Sequence, residues 1–302
     1  MLDSDTVRLI FEKFDGSLEV NKFRDFGGSG LYNELYLVEA NGTADSEFVL
    51  RIAPADHVPK LFYEEKMMHS EPAIHQKVRE ATSLPVPEIY QHDFSRDVIN
   101  RDYLIMEKMP GRSGEFRHEE LGRYVRELHQ IQGEQFGYPD RGLKSQNTWL
   151  DTVLDYTERI FGDCLECGAI NRDEFDWFMS VYQDQCDIFE AVEPALLHLD
   201  LWSANILTEQ GEISAILDFD RGLYGDPELE FAVLDTYGYS TDAFFRGYGT
   251  ERPAGRAAEI RQRLYYVYEI IKYAYIRLAR GGSRPTARRY VDESRRILSE
   301  IR

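Results

Sequence analysis

The sequence lacks the features that mark several broad classes of protein. Among its 302 residues, no stretch reaches the roughly 18 uncharged apolar residues that cross a bilayer, so we expect no membrane partner. No repeat with a period of roughly 20–50 residues is visible, which excludes solenoid architectures. No apolar run follows the N-terminal MLDSDTVRLIFEKF, and we therefore expect a cytoplasmic protein.

Cysteine is scarce as well. The 3 cysteines, Cys164, Cys167 and Cys186, are an odd number and do not form a fully paired disulfide framework. The single C-x-x-C in FGDCLECG has neither a second pair nor a nearby histidine to complete a zinc site. We expect reduced structural thiols.

Basic residues are outnumbered by acidic ones. The chain has 35 Lys and Arg against 54 Asp and Glu, a formal net charge of −19. Such a charge repels phosphate backbones and excludes nucleic acid as the expected partner. An acidic surface attracts cationic molecules, but acidity also serves solubility alone, and net charge does not decide between the two.

The order of predicted elements indicates an α+β protein in two parts. Strand patterns in NKFRDF, ELYLVEA and EFVLRIA are separated by GGSG and Asn-Gly breaks and predict an antiparallel meander. A helical segment at 61–82 and two more strands, in PEIYQHDFS and RDYLIMEKM, follow. At PGRSGEF the composition changes to turn-forming residues, so we place the boundary between 1–109 and 110–302.

Helical spacing dominates the second part. One apolar face is formed by Leu121, Tyr124, Val125, Leu128 and Ile131, and helical patterns recur at 148–190 and 256–280. Between them, the β-suited runs 206–208 and 213–217 flank a polar turn containing Gly211 and predict a short hairpin.

Polar residues at fixed spacing surround this hairpin. HLDLWSANIL holds His198, Asp200 and Asn205, and AILDFDRGLYGDPE brings Asp218. Folding about 209–212 brings Asn205 and Asp218 to one end of the hairpin, and two oxygen ligands there suit Mg²⁺. Asp200 can then accept the proton of an attacking hydroxyl or orient it. H-x-D-x-x-x-x-N followed by D-F is typical of the catalytic and metal-binding segments of kinases.

Upstream features occur in the order that a nucleotide site requires. The Gly-rich turn with Ser29 and Gly30 offers backbone N–H groups to phosphates, although an ordinary hairpin turn reads the same way. Arg51, inside an apolar strand, is a cation that needs a partner, and Glu71 is our choice over Glu64 and Glu65.

Together these residues resemble the aminoglycoside phosphotransferase and choline kinase superfamily of small-molecule kinases. The resemblance runs from Gly30 and Asn33 through LPVPEIY, KMPG, RELHQI and FGYP to HLDLWSANIL and ILDFDRGLYGDPELEFA. It implies a two-lobed protein-kinase-like fold, with an N-terminal antiparallel sheet plus helix. The larger C-terminal lobe would be mainly helical, with the short β-hairpin at the active site.

The resemblance also implies roles for single residues. Asp200 would be the catalytic aspartate, and the metal ligands would be Asn205 and Asp218. Nucleotide contacts would come from Ser29, Gly30, Arg51 with its partner Glu71, and the backbone of Glu107 and Met109 facing the purine. The cofactors would be ATP, with GTP still open, and Mg²⁺.

Several neighbours are expected to be structural or depart from the pattern. His198 should brace the catalytic loop through a backbone hydrogen bond, and Asp226 and Glu230 should fix the fold below it. Leu199 stands where H-G-D is commoner, and Arg51 replaces lysine, which changes the geometry of the phosphate contact but not its charge. Asp220 either adds a carboxylate to the metal site or faces water, and we expect the latter.

The expected activity is ATP-dependent transfer of a phosphoryl group to a hydroxyl of a small molecule, with a cationic aminoglycoside or amino alcohol as the leading acceptor. A metabolic kinase of the fructosamine, homoserine or choline type is the alternative. An inactive nucleotide-binding regulator is the alternative from another class. A protein kinase is disfavoured, because no A-P-E element follows Asp218.

Overall fold

The computed structural model describes residues 2–26, 32–41, 45–189 and 192–301, with Asp45 described by its backbone alone. Contacts divide the chain into two compact units. Unit 1 comprises Met1–Val58, Glu71–Glu115 and Ser203–Leu217, and unit 2 comprises Pro59–Ser70, Phe116–Trp202 and Asp218–Arg302. The boundary between residues 109 and 110 stays a prediction.

Unit 1 is built on a five-stranded antiparallel sheet with the order β1-β2-β3-β5-β4. Its strands are β1 (Glu19–Asp25), β2 (Glu34–Asn41), β3 (Asp45–Ile52), β4 (Ile89–Asp93) and β5 (Tyr103–Glu107). The predicted meander β1-β2-β3 and both later strands are therefore confirmed. Alternation of side chains makes this possible, because Tyr36, Val38 and Ala40 of β2 all point into one apolar core.

Two helices belong to unit 1. α1 (Ser4–Phe14) begins at Asp3, whose carboxylate accepts the Thr6 N–H at 2.8 Å, and it buries Val7, Ile10 and Phe11 against the sheet. α2 (Glu71–Ala81) forms the second half of the predicted helical segment. The first half folds as two short 3₁₀ turns, Phe62–Glu64 and Met67–Ser70, which belong to unit 2.

The predicted hairpin lies in unit 1 as β8 (Ile206–Glu209) and β9 (Glu212–Ile216), and β6 (Arg112–Ser113) adds a third strand beside β8. Ile206 pairs with Ile216, and the Leu217 N–H donates to the Asn205 carbonyl at 2.9 Å. These contacts bring Asn205 and Leu217 together at one end of the hairpin, and Asp218 follows Leu217 directly in the sequence.

Unit 2 is mainly helical. Its helices are α3 (His118–His129), α4 (Trp149–Glu166), α5 (Arg172–Gln183), α6 (Pro227–Tyr237), α7 (Asp242–Tyr248), α8 (Arg256–Tyr275) and α9 (Arg284–Ser299). α8 continues as a π-helical turn, Ile276–Arg280, before Gly281. The strands β7 (Ala195–Leu197) and β10 (Leu223–Gly225) pair antiparallel inside this unit. These elements confirm the predicted α+β fold.

The helices of unit 2 bury their apolar faces. Leu121, Val125 and Leu128 of the predicted α3 face are buried, and Tyr265, Tyr268 and Tyr275 of α8 lie in the central cluster. All three cysteines are free, as expected, and Cys164 is buried there. No helix in the part of the chain that the structure describes is both long and apolar enough to cross a bilayer.

Candidate active site

The loop after β7 is held by backbone contacts to buried side chains. His198 is fully buried, and its Nδ1 accepts the Asp200 N–H at 3.2 Å. The imidazole therefore braces the loop, which confirms the structural role expected for it. The ring also lies 4.3 Å from that of Phe219, so the loop and the D-F segment pack through these two side chains.

Glu230 of α6 fixes the same loop from below. Its carboxylate accepts the N–H of His198 at 2.6 Å and that of Leu199 at 3.1 Å, and it is fully buried. Hydrogen bonds to a carboxylate are about twice as strong as neutral ones. Asp226 caps α6 by accepting the Glu228 N–H at 3.0 Å and also accepts the Tyr265 hydroxyl at 2.7 Å. Both acidic residues act on the fold, as expected.

Asp200 lies at the end of a chain of buried charges. Arg221 Nη1 is 3.4 Å from Asp200 Oδ1, and Arg221 Nη2 donates to Glu269 Oε2 at 2.9 Å. Lys272, one turn further along α8, forms an ion pair with Glu269. The Asp200 side chain is 24% exposed, whereas those of Arg221, Glu269 and Lys272 are nearly inaccessible. The network thus leaves only its aspartate end open to solvent.

Within this network, neighbouring charges shift the pKa values of Glu269 and Lys272. Burial raises the pKa of a carboxyl, yet Arg221 and Lys272 outweigh it and lower the pKa of Glu269. Burial, together with repulsion from Arg221, lowers the pKa of the Lys272 ammonium. Two positive and two negative side chains alternate from Asp200 to Lys272, so the cluster carries no net charge.

The D-F segment adds two carboxylates in unit 2. Asp218 has a left-handed backbone, with φ of 69°, and begins a short 3₁₀ turn, Phe219–Arg221. One carboxylate oxygen of Asp218 lies within 4.8 Å of one of Asp220. The expectation that Asp220 faces water is wrong, because it is only 4% exposed. Clustered carboxylate oxygens are the ligands that Mg²⁺ prefers, so this pair fits a magnesium ion.

In unit 1 a buried ion pair holds Arg51. Its Nη1 donates to both carboxylate oxygens of Glu71, at 2.9 and 2.8 Å, and both side chains are almost fully buried. With the Asn33 amide oriented so that its oxygen faces Arg51, that oxygen also accepts from Nε at 3.0 Å. The chosen partner, Glu71, is thus in contact with Arg51. Glu64, one of its rivals, instead pairs with Arg280 in unit 2.

A histidine completes the surroundings of Glu71. His75 Nδ1 lies 3.0 Å from the Pro87 carbonyl and must be the protonated nitrogen, because a carbonyl only accepts. His75 Nε2 lies 3.6 Å from Glu71 Oε2. These contacts link α2 to the segment before β4.

Glu107 and Met109, the residues expected to bind the purine, lie at the end of β5 and just beyond it. The Glu107 N–H donates to the Glu88 carbonyl at 2.8 Å. The Glu107 carboxylate accepts the Glu88 N–H at 3.0 Å. The Glu107 N–H is therefore already hydrogen-bonded to the residue that precedes β4. Met109 is half-buried just beyond the strand. Ser29 and Gly30 lie outside the described residues.

Reasoning from the sequence missed most of the buried charge network. Arg221 stands inside the quoted DFDRGLYGDPE stretch, but no role was given to it. Glu269 and Lys272 lie within the predicted helical pattern at 256–280, in the stretch LYYVYEIIKYAY, which is rich in tyrosine and apolar residues. Paired charges three residues apart in such a stretch were the signal that would have indicated a buried polar site.

Comparisons with solved structures agree with this architecture. A candidate fructosamine-3-kinase from Haemophilus somnus superposes with a TM-score of 0.70 at 17% identity, covering 98% of this chain and 97% of that one. A thermostable mutant of an aminoglycoside phosphotransferase gives a TM-score of 0.66 at 16% identity, covering 97% and 98%. At such identities the likeness defines the fold, and that fold is the protein-kinase-like one of the small-molecule kinases.

Sequence comparison goes further. The profile of the fructosamine kinase family matches residues 4–294. The chain belongs to the fructosamine kinase family. Protein-ribulosamine 3-kinase of Arabidopsis thaliana is 29% identical over 208 residues, which are 65% of this chain and 63% of that protein. The alignment thus spans slightly less than two thirds of that relative.

This membership corrects the order of the sequence-based hypotheses. The family shown is that of the fructosamine kinases, which the sequence analysis gave only as an alternative. The leading hypothesis, an aminoglycoside as acceptor, is not supported, because the likeness to the aminoglycoside enzymes shows only the fold. Motifs for phosphoryl transfer are common to both groups and did not separate them.

Proposed function

We propose that the protein is an ATP-dependent ketoamine kinase, which phosphorylates a hydroxyl of a sugar joined to an amine. The observation that carries the proposal is the family match over residues 4–294. The name of the Arabidopsis relative supports a sugar-amine acceptor and, within it, the 3-hydroxyl. Structural neighbours include an aminoglycoside phosphotransferase determined with ADP, which supports a purine nucleotide as donor.

The reaction needs one proton acceptor and stabilisation of charge. A bond forms between the acceptor oxygen and the γ-phosphorus, the bond from that phosphorus to the bridging oxygen breaks, and ADP leaves. The hydroxyl proton passes to the Asp200 carboxylate, which is the only part of the buried charge network that is open to solvent. Arg221 keeps this carboxylate in place from its buried side.

Nucleotide contacts come from unit 1. Arg51 would contact the phosphates, since Glu71 and Asn33 hold its guanidinium in a fixed orientation. Glu107 and Met109 would receive the purine, and Ser29 and Gly30 would lie over the phosphates. Asn205 and Asp218 would hold Mg²⁺, and the buried Asp220 fits as a further ligand. Bound there, the ion would neutralise negative charge on the phosphates.

The proposal is tested with a panel of acceptors. Purified protein with Mg-ATP is given a fructosamine, a ribulosamine, an aminoglycoside, homoserine or choline, and ADP release is measured beside a reaction without acceptor. We expect stimulation by the two ketoamines and a gain of one phosphate in the product by mass spectrometry. Stimulation by the aminoglycoside alone would favour an aminoglycoside kinase. No acceptor-stimulated turnover at all would favour an inactive nucleotide-binding regulator.

A further inference from the structure

Unit 2 carries a group of aromatic side chains that stay only half-buried. Phe116 and His118 precede or begin α3, Tyr237 and Tyr239 lie at the end of α6, and Tyr273 lies on α8. We call these five residues the aromatic strip. Each remains partly accessible, whereas Tyr265, Tyr268 and Tyr275 of the same α8 are buried.

The side chains of the strip contact one another, and Tyr239 lies at the centre of these contacts. Ring centroids are 5.0 Å apart for Phe116 and Tyr239, 5.5 Å for His118 and Tyr239, and 6.0 Å for Tyr237 and Tyr239. The hydroxyls of Tyr237 and Tyr273 lie 3.3 Å apart. The strip is therefore one continuous surface made by three separate elements, rather than a set of isolated rings.

The inner end of the strip joins the buried charge network. Lys272 Nζ lies 5.0 Å from the centroid of the Tyr273 ring, and Lys272 pairs with Glu269, which binds Arg221. Arg221 in turn contacts Asp200. Burial, with the negative charges of Glu269 and Asp200, raises the pKa of the Tyr237 hydroxyl. This shift agrees with a position of Tyr237 close to the charge network. The strip therefore lies against the same charge network that holds Asp200.

The two ends of this surface differ in chemistry. At Asp200, the solvent-open carboxylate offers hydrogen-bond acceptors, which suit the hydroxyls of a sugar. Along the strip, aromatic faces favour flat or aliphatic groups and attract a protonated amine through cation–π contact. A ketoamine has the same two parts, a sugar and an amine substituent.

We propose that the aromatic strip binds the amine substituent of the acceptor while the sugar lies at Asp200, so that the enzyme prefers ketoamines with aromatic or long aliphatic substituents. This specificity rests on the proposed ketoamine kinase activity. Tyr239 is the central determinant, because its ring contacts three other members of the strip.

The experiment compares the ketoamines of benzylamine and methylamine as acceptors. For the native protein we expect a KM about tenfold lower with the benzyl compound, the effect of one good aromatic contact. Tyr239→Ala should raise the KM for the benzyl compound about tenfold, change that for the methyl compound less than about twofold, and leave kcat nearly unchanged. Tyr239→Phe keeps the ring and should restore the native KM. Trp177→Ala, a half-buried aromatic on α5, is the matched control and should change neither constant.

The outcomes separate the two proposals. If the native protein phosphorylates neither ketoamine, the proposed function fails, and the specificity fails with it. If it phosphorylates both with equal KM, or if Tyr239→Ala affects both acceptors alike, the activity stands and the role of the aromatic strip is overturned. Thermal unfolding of each variant shows whether a loss of activity reflects loss of the fold.

Discussion

Leu199 occupies a backbone conformation that normally favours glycine. Its φ is 61°, in the left-handed region, which costs a residue with a Cβ about 1–2 kcal/mol. Its side chain is only 1% exposed and belongs to the central core of unit 2. The buried leucine side chain therefore anchors the loop in the core, and Glu230 accepts the Leu199 N–H.

Replacing Glu230 tests this anchoring. In Glu230→Gln one neutral oxygen must replace a carboxylate that accepts two N–H groups, so we expect the free energy of unfolding to fall by about 1–3 kcal/mol. The value of kcat should fall at least about tenfold, because the loop also positions Asp200. Urea unfolding and steady-state kinetics measure both effects. Glu119→Gln, at an exposed position on α3, is the control, and native kcat in Glu230→Gln would refute the positioning role.

Single residues were predictable where the chemistry is local. The brace formed by His198 spans two residues, and the Arg51 partner was sought on the next helix, where Glu71 lies. The network from Arg221 to Lys272 was not predictable, since it joins residues 48 positions apart in sequence. Only the folded chain brings such groups together. In the sequence, Glu269 and Lys272 stand among tyrosines and apolar residues, a pattern that is typical of a packed core.

At the scale of elements, strong periodicity was sufficient for most strands and helices. β1–β5 and the hairpin follow alternating apolar patterns that tertiary packing reinforces. α1 was not predicted, although Asp3 caps it and its buried residues Val7, Ile10 and Phe11 follow helical spacing. Segment 61–82 was expected to be helical, with Pro72 near a helix start or a kink. α2 does begin at Glu71, because a proline fits only the first turn of a helix.

The hairpin turn gives two variants with opposite expected effects. Gln210 and Gly211 both have positive φ, 55° and 85°, which defines a type I′ turn. Gln210→Asn introduces a residue that tolerates this region and should stabilise the protein by on the order of 0.5 kcal/mol. Gly211→Ala should destabilise it by about 1–2 kcal/mol. Thermal unfolding checks both, and a stabilising Gly211→Ala would contradict the turn assignment.

At the scale of the whole molecule, composition argues against one class of partner but does not identify the acceptor. A net charge of −19 argues against nucleic acid, yet the aminoglycoside and ketoamine acceptors considered both carry amines. Which one applies depends on acceptor-facing residues of unit 2, where no short motif exists. The family match rather than any motif therefore changed the leading acceptor.

The half-buried carboxyl of Asp163 makes the stability of the protein depend on pH. Burial raises the pKa of Asp163 from 3.8 to about 6, although its carboxylate accepts the Phe62 N–H at 2.7 Å. A raised pKa gives stability that is complete below about pH 4 and is lost as the pH rises through about 6. Asp163→Asn keeps the acceptor without the charge, so its melting temperature should exceed that of the native protein at pH 8.

The difference in melting temperature between Asp163→Asn and the native protein is the quantity to measure across this range. It should vanish near the ordinary carboxyl pKa of 3.8 and reach its full value above about pH 6. Asp176→Asn, at an exposed position on α5, is the control and should show no such dependence. A difference that grows as the pH falls would reverse the assigned shift.

Asp200 offers the most direct test of the central claim that the loop after β7 carries out phosphoryl transfer. Turnover with a ketoamine and binding of Mg-ATP by calorimetry are measured together on Asp200→Ala and the native protein. We predict that kcat falls by at least about a thousandfold while the affinity for Mg-ATP changes less than about threefold. A variant that keeps near-native turnover would contradict the account.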